Sequence, residues 1–534
     1  MKEHSKAYYL AWLGLVMVLG FSLRLYHITD PYMVDFHDWR QADTAAFTHN
    51  YLHFGLNPIY PRIDRFPCER RGQEFGLVEA ELPVAAWLAA LPLAALDIDW
   101  PPPWYLRLVT ALLFLASCLY LFLLIKDLSR QPSLGVLTVL AYSLFPFAIF
   151  FTRTSQPDGP ALFFTVATLY HLNRWLDDGR LVRHFVASAL VGSLLFLIKV
   201  PNLFILMPVL FLFVAKKGLW ENVKRPYFLL WLCLALPAVL AYYVYAHDYP
   251  WTFGIWPDRE QSKFASLGEV TDFNAWYLFT DRAIWDIFTW PGIILMTLGF
   301  SHLRRNFALK TAAVWLLSVV IFLIVTIKGN RIHVYYQLPF VLPASIAAGA
   351  GMLWLWRRGL GGVVALLALG VVYYLMATHA IEKRGWPLHE KGYYSPFEYK
   401  IDGIELLRAH VPKGQYFVST DHDPALYYNA DRRGWFIYGS DINSYLKCMG
   451  DDISYVLIAE NMEKTIMGNK MQKRRLEEVF EVAGKGRFFT LYKLKPKEQP
   501  QPDHVLPPRL MLSPQVDAPL PAPLLKVGPK PATP

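Results

Sequence analysis

The feature that most constrains this chain is a series of apolar blocks that recurs along residues 8–380. Each block is roughly 16–22 residues long, the length that a helix needs to cross about 30 Å of hydrocarbon at 1.5 Å per residue. Only 18% of the 534 residues are charged and 54% are hydrophobic, whereas soluble proteins carry about 25% charged residues. The sequence therefore predicts a mainly α-helical, polytopic membrane protein.

We predict about eleven membrane spans, at residues 8–26, 105–125, 134–151, 161–175, 184–199, 201–215, 227–246, 284–301, 311–327, 334–354 and 361–380. The first span has a basic N-terminal flank, and Arg24, Tyr26 and His27 follow it in place of a small-residue cleavage site. We therefore expect this helix to be retained rather than removed as a signal peptide.

Basic residues mark the orientation of the spans. They are concentrated in alternate short loops, at Lys126, Arg130, Arg180, Arg183, Lys216, Lys217, Lys224, Arg225, Arg304, Arg305, Lys310, Arg357 and Arg358. The positive-inside rule places these loops and the N-terminus in the cytoplasm of a bacterium, so the region after the last span lies in the periplasm. The same loops account for much of the net charge of +9, so we expect no nucleic-acid partner.

The membrane domain, residues 1–380, contains one large periplasmic loop, residues 27–104, which we call the first loop. Within it, residues 82–98 are apolar but contain Pro83 and Pro92. We expect an interfacial or re-entrant helix there, because a true span would place the later basic loops outside. The alternative is a second true span.

The composition changes after the last span. Residues 381–496 mix strand-like runs, such as Gln415–Ser419 and Tyr455–Ala459, with helix-like runs, and predict a small periplasmic α/β domain. Residues 497–534 are rich in proline and predict a disordered tail.

The first loop holds the densest polar cluster of the chain, at Asp35, His37, Asp38, Arg40, Gln41, Asp43 and Thr44. A carboxylate at this boundary could accept a proton from an acceptor hydroxyl or amine. The alternative is a solvated loop with a structural Arg40–Asp pair. Further along the loop, Glu79 and Glu81 could bind a divalent cation, or they could only satisfy a helix N-terminus electrostatically.

Two other sites carry candidate residues on the same side of the membrane. Asp158 precedes a helix and is either a functional carboxylate or a plain N-cap. Lys199 ends an apolar run and could meet a lipid phosphate as a point charge, or could only extend to the interface. Lys263, Arg331 and His333 could add positive charge.

The chain resembles the bacterial membrane glycosyltransferases of family 39, which are GT-C-type enzymes related to protein O-mannosyltransferases and to the lipid A aminoarabinose transferase. The resemblance runs along most of residues 8–380. Its motifs are His37-Asp38-Trp39-Arg40-Gln41-Ala42-Asp43-Thr44-Ala45, Glu81-Leu82-Pro83 with Trp87, Tyr105-Leu106-Arg107-Leu108, Pro157-Asp158-Gly159, Lys199-Val200-Pro201 and His333-Val334-Tyr335-Tyr336-Gln337-Leu338-Pro339.

The resemblance implies an inverting transferase that moves a hexosyl or pentosyl group from a polyprenyl-phosphate-sugar donor to an envelope lipid, glycan or protein. It assigns catalysis to Asp38 and Asp158, with His37 as the partner of Asp38 where the family often has an acid. Residues for substrate binding are Arg40, Glu81, Lys199, Lys263, Arg331 and His333. No cofactor is required, although Glu79 and Glu81 could hold a divalent cation.

Two other functions remain open at this point. A transporter or flippase of lipid-linked saccharides would explain the helices and the basic residues. It would not readily explain the acidic first loop, and we find no internal repeat of the kind that many transporters contain. The other alternative is a structural component of an envelope complex.

Of the four cysteines, Cys118 and Cys233 lie inside apolar blocks, whereas Cys68 and Cys448 lie in polar segments on the oxidising side. This placement is compatible with a disulfide between the first loop and the C-terminal domain. The alternative is two separate free thiols, because the two Cα atoms must come within about 7 Å to be bridged.

Overall fold

The computed structural model describes residues 6–33, 37–252, 265, 267–382, 397–449 and 453–496. Helices dominate the first 382 residues. They are α1 (Lys6–Arg24), α2 (Asp38–Phe54), α3 (Val84–Ala95), α4 (Pro103–Ser129), α5 (Pro132–Leu144), α6 (Pro146–Phe151), α7 (Asp158–Asp177), α8 (Val182–Ile198), α9 (Leu206–Lys217), α10 (Leu219–Lys224), α11 (Tyr227–Ala235), α12 (Pro237–Ala246), α13 (Leu267–Val270), α14 (Phe273–Arg282), α15 (Thr289–Phe300), α16 (Phe307–Val325), α17 (Ile327–Ile332), α18 (Val341–Trp356) and α19 (Leu360–Glu382). Short 3-10 segments lie at Cys68–Arg70, Val200–Ile205, Leu303–Arg305 and Val334–Phe340, and a π-helical turn at Ala283–Ile287.

Every predicted span overlaps one or more of these helices, so the expected polytopic helical fold is confirmed. Within the described ranges, seven helical segments are long and apolar enough to cross a membrane. A bent pair, Phe273–Ile287 with Thr289–Phe300, would make an eighth. Proline explains two of the interruptions, since Pro146 starts α6 and Pro237 starts α12, and proline cannot donate the backbone hydrogen bond that continues a helix. The total of eleven spans stays a prediction.

The apolar stretch of the first loop forms α3, a helix of 12 residues. At 1.5 Å per residue it is about 18 Å long, which is too short to cross the hydrocarbon core. Small residues let α3 pack closely on α2, where Ala86, Ala89 and Ala90 share a buried cluster with Ala42 and Ala45. This contact holds α2, which begins at Asp38, beside the bundle.

The C-terminal region is an α/β domain, as expected, and we call residues 397–496 the C-terminal domain. Its helices are α20 (Phe397–His410), α21 (Pro424–Ala430), α22 (Ile442–Cys448), α23 (Glu460–Gly468) and α24 (Lys470–Val479). The strands of the chain are β1 (Arg65–Pro67), β2 (Val78–Glu79), β3 (Trp251–Thr252), β4 (Tyr416–Ser419), β5 (Gly434–Phe436), β6 (Ile453–Ala459), β7 (Phe480–Lys485) and β8 (Phe489–Leu494).

The sheet of the C-terminal domain takes one strand from the first loop. Among the described residues it has six strands, in the order β1-β5-β4-β6-β8-β7. The strand β1 pairs in parallel with β5, with Phe66 opposite Trp435. Phe66 is fully buried in the core cluster of the C-terminal domain. The first loop therefore contributes a strand to the sheet of the C-terminal domain and anchors that domain on the bundle.

A disulfide joins the same two parts. Cys68 and Cys448 are bonded, with their Cα atoms 5.8 Å apart, and both residues are buried. This confirms the proposed pairing of the two cysteines outside the apolar blocks. Cys118 and Cys233 are free thiols.

Candidate active site

The N-terminus of α2 places a carboxylate under the C-terminal domain. Asp38 is the first residue of α2, where the helix dipole favours a negative charge. Its Oδ1 accepts a hydrogen bond of 2.7 Å from the amide of Trp39, and its Oδ2 accepts one from Nζ of Lys400 in α20. Nζ of Lys400 also lies 3.2 Å from Oδ2 of Asp423. Asp38 is 3% exposed and Lys400 1%.

These contacts set the proton affinity of the carboxylate. Burial, followed by the negative charge of Asp423, raises the pKa of Asp38 to about 7, although Lys400 acts in the opposite direction. Burial acts to lower the pKa of Lys400, but Asp423 and Asp38 outweigh it, and the pKa of Lys400 is raised. The lysine therefore stays protonated at neutral pH, while Asp38 titrates there.

Two ion pairs involve the cations Arg40 and Lys199, both of which act on His37, the residue before Asp38. Nη2 of Arg40, two residues further along α2, lies 2.7 Å from Oε2 of Glu81 in the first loop. Nζ of Lys199 lies 2.5 Å from Oδ1 of Asp158. The pKa of Arg40 responds to the charges of both Glu81 and Asp158, so the two pairs act on one electrostatic site.

Local structure positions Asp158, Lys199 and the segment that carries Glu81. Asp158 opens α7, and Gly159 is required there because an added Cβ would meet the carbonyl oxygen of Phe151 at 2.6 Å. Lys199 follows the last residue of α8, where a cation is favoured by the helix dipole. The amide of Leu82 donates a 2.9 Å hydrogen bond to the carbonyl of Leu197, which ties the first loop to this end of α8.

Aromatic rings line the cationic side of the site. Nζ of Lys199 lies 4.5 Å from the ring centre of Tyr335 and 4.1 Å from that of Tyr336. The ring of His37 is fully buried and lies 5.0 Å from Tyr335, edge to face. His333 lies 6.5 Å from His37 and 6.0 Å from Trp39, measured between ring centres. These rings connect the region of Lys199 to the start of α2.

The environment of His37 favours its neutral form. Burial, and then the cations Arg282, Lys199 and Arg40, lower the pKa of His37 to about 3. His37 also adopts a left-handed backbone conformation, with φ 55°, as it caps α2. A neutral imidazole at physiological pH can donate or accept a hydrogen bond, but it adds no charge to the site.

The remaining predicted residues have different positions. Arg331 pairs with Asp272 at 2.7 Å, and its side chain is 40% exposed, so its partner is a half-buried acid that belongs to neither of the two ion pairs described above. Lys263 and Asp35 lie outside the described residues.

The two glutamates of the proposed cation site have separate basic partners. Glu81 pairs with Arg40, whereas Oε1 of Glu79, which is fully buried, lies 3.6 Å from Nδ1 of His247. No group of three or more histidine, cysteine, aspartate or glutamate side chains in the described part of the chain is arranged to hold a metal ion. Both glutamates therefore already have a basic partner, and a divalent cation at Glu79 and Glu81 stays a prediction.

Sequence reasoning missed Lys400 and Asp423, which lie in the C-terminal domain. It also gave no role to Arg107, which is fully buried and donates hydrogen bonds to the carbonyl of Ile28 at 3.1 Å and to Gln41 at 3.2 Å. Arg107 was visible as part of a family motif, and its contacts show that it holds the start of the first loop. Lys400 carried no local signal.

Comparisons with known proteins support the GT-C resemblance expected from the sequence at the level of the fold. Within the bundle, residues 80–245 match the model of a family described as dolichyl-phosphate-mannose-protein mannosyltransferase. No curated protein matches the sequence of the chain.

Solved structures of two other proteins share the fold. ArnT from Cupriavidus metallidurans, bound to undecaprenyl phosphate, superposes with a TM-score of 0.59 at 12% identity, over 92% of this chain and 98% of that one. The archaeal oligosaccharyltransferase AglB from Archaeoglobus fulgidus, in complex with an inhibitory peptide and a dolichol-phosphate, has a TM-score of 0.53 at 12% identity, over 93% and 75% of the two chains. At this identity the likeness concerns the fold.

Proposed function

We propose that this protein transfers a sugar from a polyprenyl-phosphate-sugar donor to an envelope acceptor at the periplasmic face of a bacterial inner membrane. The observation that carries the proposal is the buried carboxylate of Asp38, whose pKa is raised to about 7, together with the buried cations Arg40 and Lys199, which both act on the neighbouring His37. The family model and the polyprenyl phosphates bound to two proteins of the same fold support this class of donor.

The cations suit the leaving phosphate. The ammonium group of Lys199 pairs with Asp158 and also lies over the faces of Tyr335 and Tyr336. A donor phosphate that approaches Lys199 and Arg40 would share them with Asp158 and Glu81. Preorganised cations in a site that excludes water stabilise charge that develops in the transition state.

Asp38 suits the role of general base. The acceptor hydroxyl or amine attacks the anomeric carbon as the bond from that carbon to the phosphate oxygen breaks. The acceptor proton passes to Asp38, and the phosphate leaves with the bonding electron pair. Direct displacement inverts the anomeric centre. A base with a pKa near the working pH is the efficient choice for this step.

The test uses purified protein in liposomes with polyprenyl-phosphate sugars and extracted envelope glycolipids as acceptors, with the product detected by mass spectrometry. Asp38→Asn is expected to lower transfer at least about a hundredfold, since positioned acid–base groups contribute about 10²–10⁴. The matched control is Asp99→Asn, at an exposed aspartate of the first loop, which is expected to leave transfer unchanged.

A transporter would give a different result. Lipid-linked sugar would cross the bilayer without forming product, and Asp38→Asn would leave that movement intact. Such a result would replace the transferase proposal. Mass spectrometry of envelope glycolipids from cells with and without the protein would identify the sugar and the acceptor.

A further inference from the structure

We propose that Lys400 of the C-terminal domain is a positioning residue of the transfer site, which orients the carboxylate of Asp38 and keeps it charged. This inference rests on the proposed function, in which Asp38 is the base. Lys400 and Asp38 are 362 residues apart in the chain, and they belong to different parts of the molecule, α20 and α2.

The side chain of Lys400 is buried and cannot act at the protein surface. It is 1% exposed, and its ammonium group binds Asp38 and lies 3.2 Å from Asp423. A buried lysine is costly unless it is paired and hydrogen-bonded. Here the pairing reaches across the boundary between the C-terminal domain and α2, so the lysine depends on the docking of that domain.

Carboxylates outnumber ammonium groups around Lys400 among the described side chains. Oδ1 of Asp421 accepts a 2.8 Å hydrogen bond from the amide of Asp423, and the hydroxyl of Tyr399 donates a 2.6 Å bond to Oδ2 of Asp421. Burial and the charge of Asp423 raise the pKa of Asp421 as well. The loss of Lys400 would therefore leave Asp38 buried beside acidic groups.

The groups that act on Asp38 come from three elements. Lys400 approaches from α20 and lowers the pKa of Asp38, whereas Asp423, the N-cap of α21, raises it. Within α2 the amide of Trp39 hydrogen-bonds to the carboxylate, and His37 and Arg40 flank it in sequence. Without Lys400 the carboxylate would hold its proton at neutral pH and could not accept another.

Substitutions of Lys400 and of Asp423 should shift the pH dependence of kcat/KM in opposite directions. Lys400→Met removes the group that favours the charged carboxylate, so the acid limb of the kcat/KM profile should move to higher pH, by roughly 1–3 units. Asp423→Asn removes a like charge, so the limb should move to lower pH, by about one unit. Asparagine can still accept the hydrogen bond from the amide of Ala425 that caps α21.

The control variant is Lys413→Met, at a lysine of the same domain whose side chain is 80% exposed and pairs with Asp431. It should leave the profile unmoved. A merely structural role of Lys400 would reduce the amount of active protein without moving the limb. An unmoved limb in Lys400→Met, or higher transfer at neutral pH, would overturn the proposal.

A second measurement does not need a substrate. Infrared spectroscopy follows the carbonyl band of a protonated carboxylic acid, and Asp38→Asn identifies the contribution of Asp38. The titration midpoint of that band should rise in Lys400→Met and fall in Asp423→Asn. If the wild-type protein transfers no sugar but the midpoint shifts as expected, the proposed function fails alone. If transfer occurs and neither the limb nor the midpoint moves, the role of Lys400 fails alone.

Discussion

Removal of the Cys68–Cys448 disulfide should lower the free energy of unfolding of the C-terminal domain. The size of this effect can be estimated from the length of chain that the disulfide closes. The perturbation is the double variant Cys68→Ser/Cys448→Ser, which replaces two buried, bonded cysteines. The domain is anchored at one end by α19, which ends at Glu382. The disulfide adds a second anchor to the first loop.

The magnitude follows from the loop that the second anchor closes. While the bundle and the first loop stay folded, roughly 66 residues separate Glu382 from Cys448 in an unfolded C-terminal domain, and closing a loop of that length costs about 4 kcal/mol of chain entropy. The disulfide should therefore stabilise the domain by about that amount. At a slope of about 1–3 kcal/mol per molar urea, the midpoint of unfolding should fall by about 1.5–4 M in the variant.

Pulse proteolysis in nanodiscs measures this midpoint. The protein is equilibrated in urea, digested briefly, and the intact fraction is determined on a reducing gel. The matched control, Cys118→Ser/Cys233→Ser, removes the two free thiols and should unfold at the wild-type urea concentration. Equal midpoints for the Cys68→Ser/Cys448→Ser variant and the wild type would show that the tether does not limit unfolding and would refute the estimate.

Three further results are expected. Sugar transfer should fall about tenfold per pH unit as the pH drops below about 7, because the base must be deprotonated and the pKa of Asp38 is raised to about 7; a flat profile between pH 5 and 7 would contradict this assignment. Lys199→Ala should raise the KM for the donor more than the KM for the acceptor, with exposed Lys413→Ala as the control, and equal effects on both would argue against a phosphate contact. Alkaline phosphatase fused at Lys217 should be inactive and the same reporter fused after residue 385 active, and activity at Lys217 would reverse the orientation.

Patterns of neighbouring residues in the sequence predicted the helices, the short helix of the first loop and one strand of the C-terminal domain. The apolar blocks predicted the helices because a membrane span has a minimum length, and the two prolines in residues 82–98 argued correctly for a short helix. The strand-like run Tyr455–Ala459 predicted a strand, which β6 confirms. The two cysteines could be matched because they alone lay in polar segments.

Contacts between distant parts of the chain were beyond that reasoning. Arg40, Glu81, Asp158 and Lys199 were each selected from the sequence, but which cation would pair with which acid depended on the packing of α2, α7 and α8. Lys400 was missed because nothing near it distinguishes it from a surface lysine. Three residues, Arg65–Pro67, are too few for a periodicity, so β1 was missed as well.

The strand that the first loop contributes to the sheet has a consequence for how the protein is made. About 370 residues separate Phe66 from its partner Trp435, and synthesis at about 5–20 residues per second takes about 20–70 s to cover that distance. During this interval β1 has no partner strand and Cys68 has no thiol to bond with. The strand β1 of the first loop therefore stays unpaired until the rest of the bundle has been inserted and the C-terminal domain has been made. Until it docks, the C-terminal domain in turn presents the open edge of β5, so a chain whose domain docks late exposes two complementary edges that a neighbouring copy can pair with.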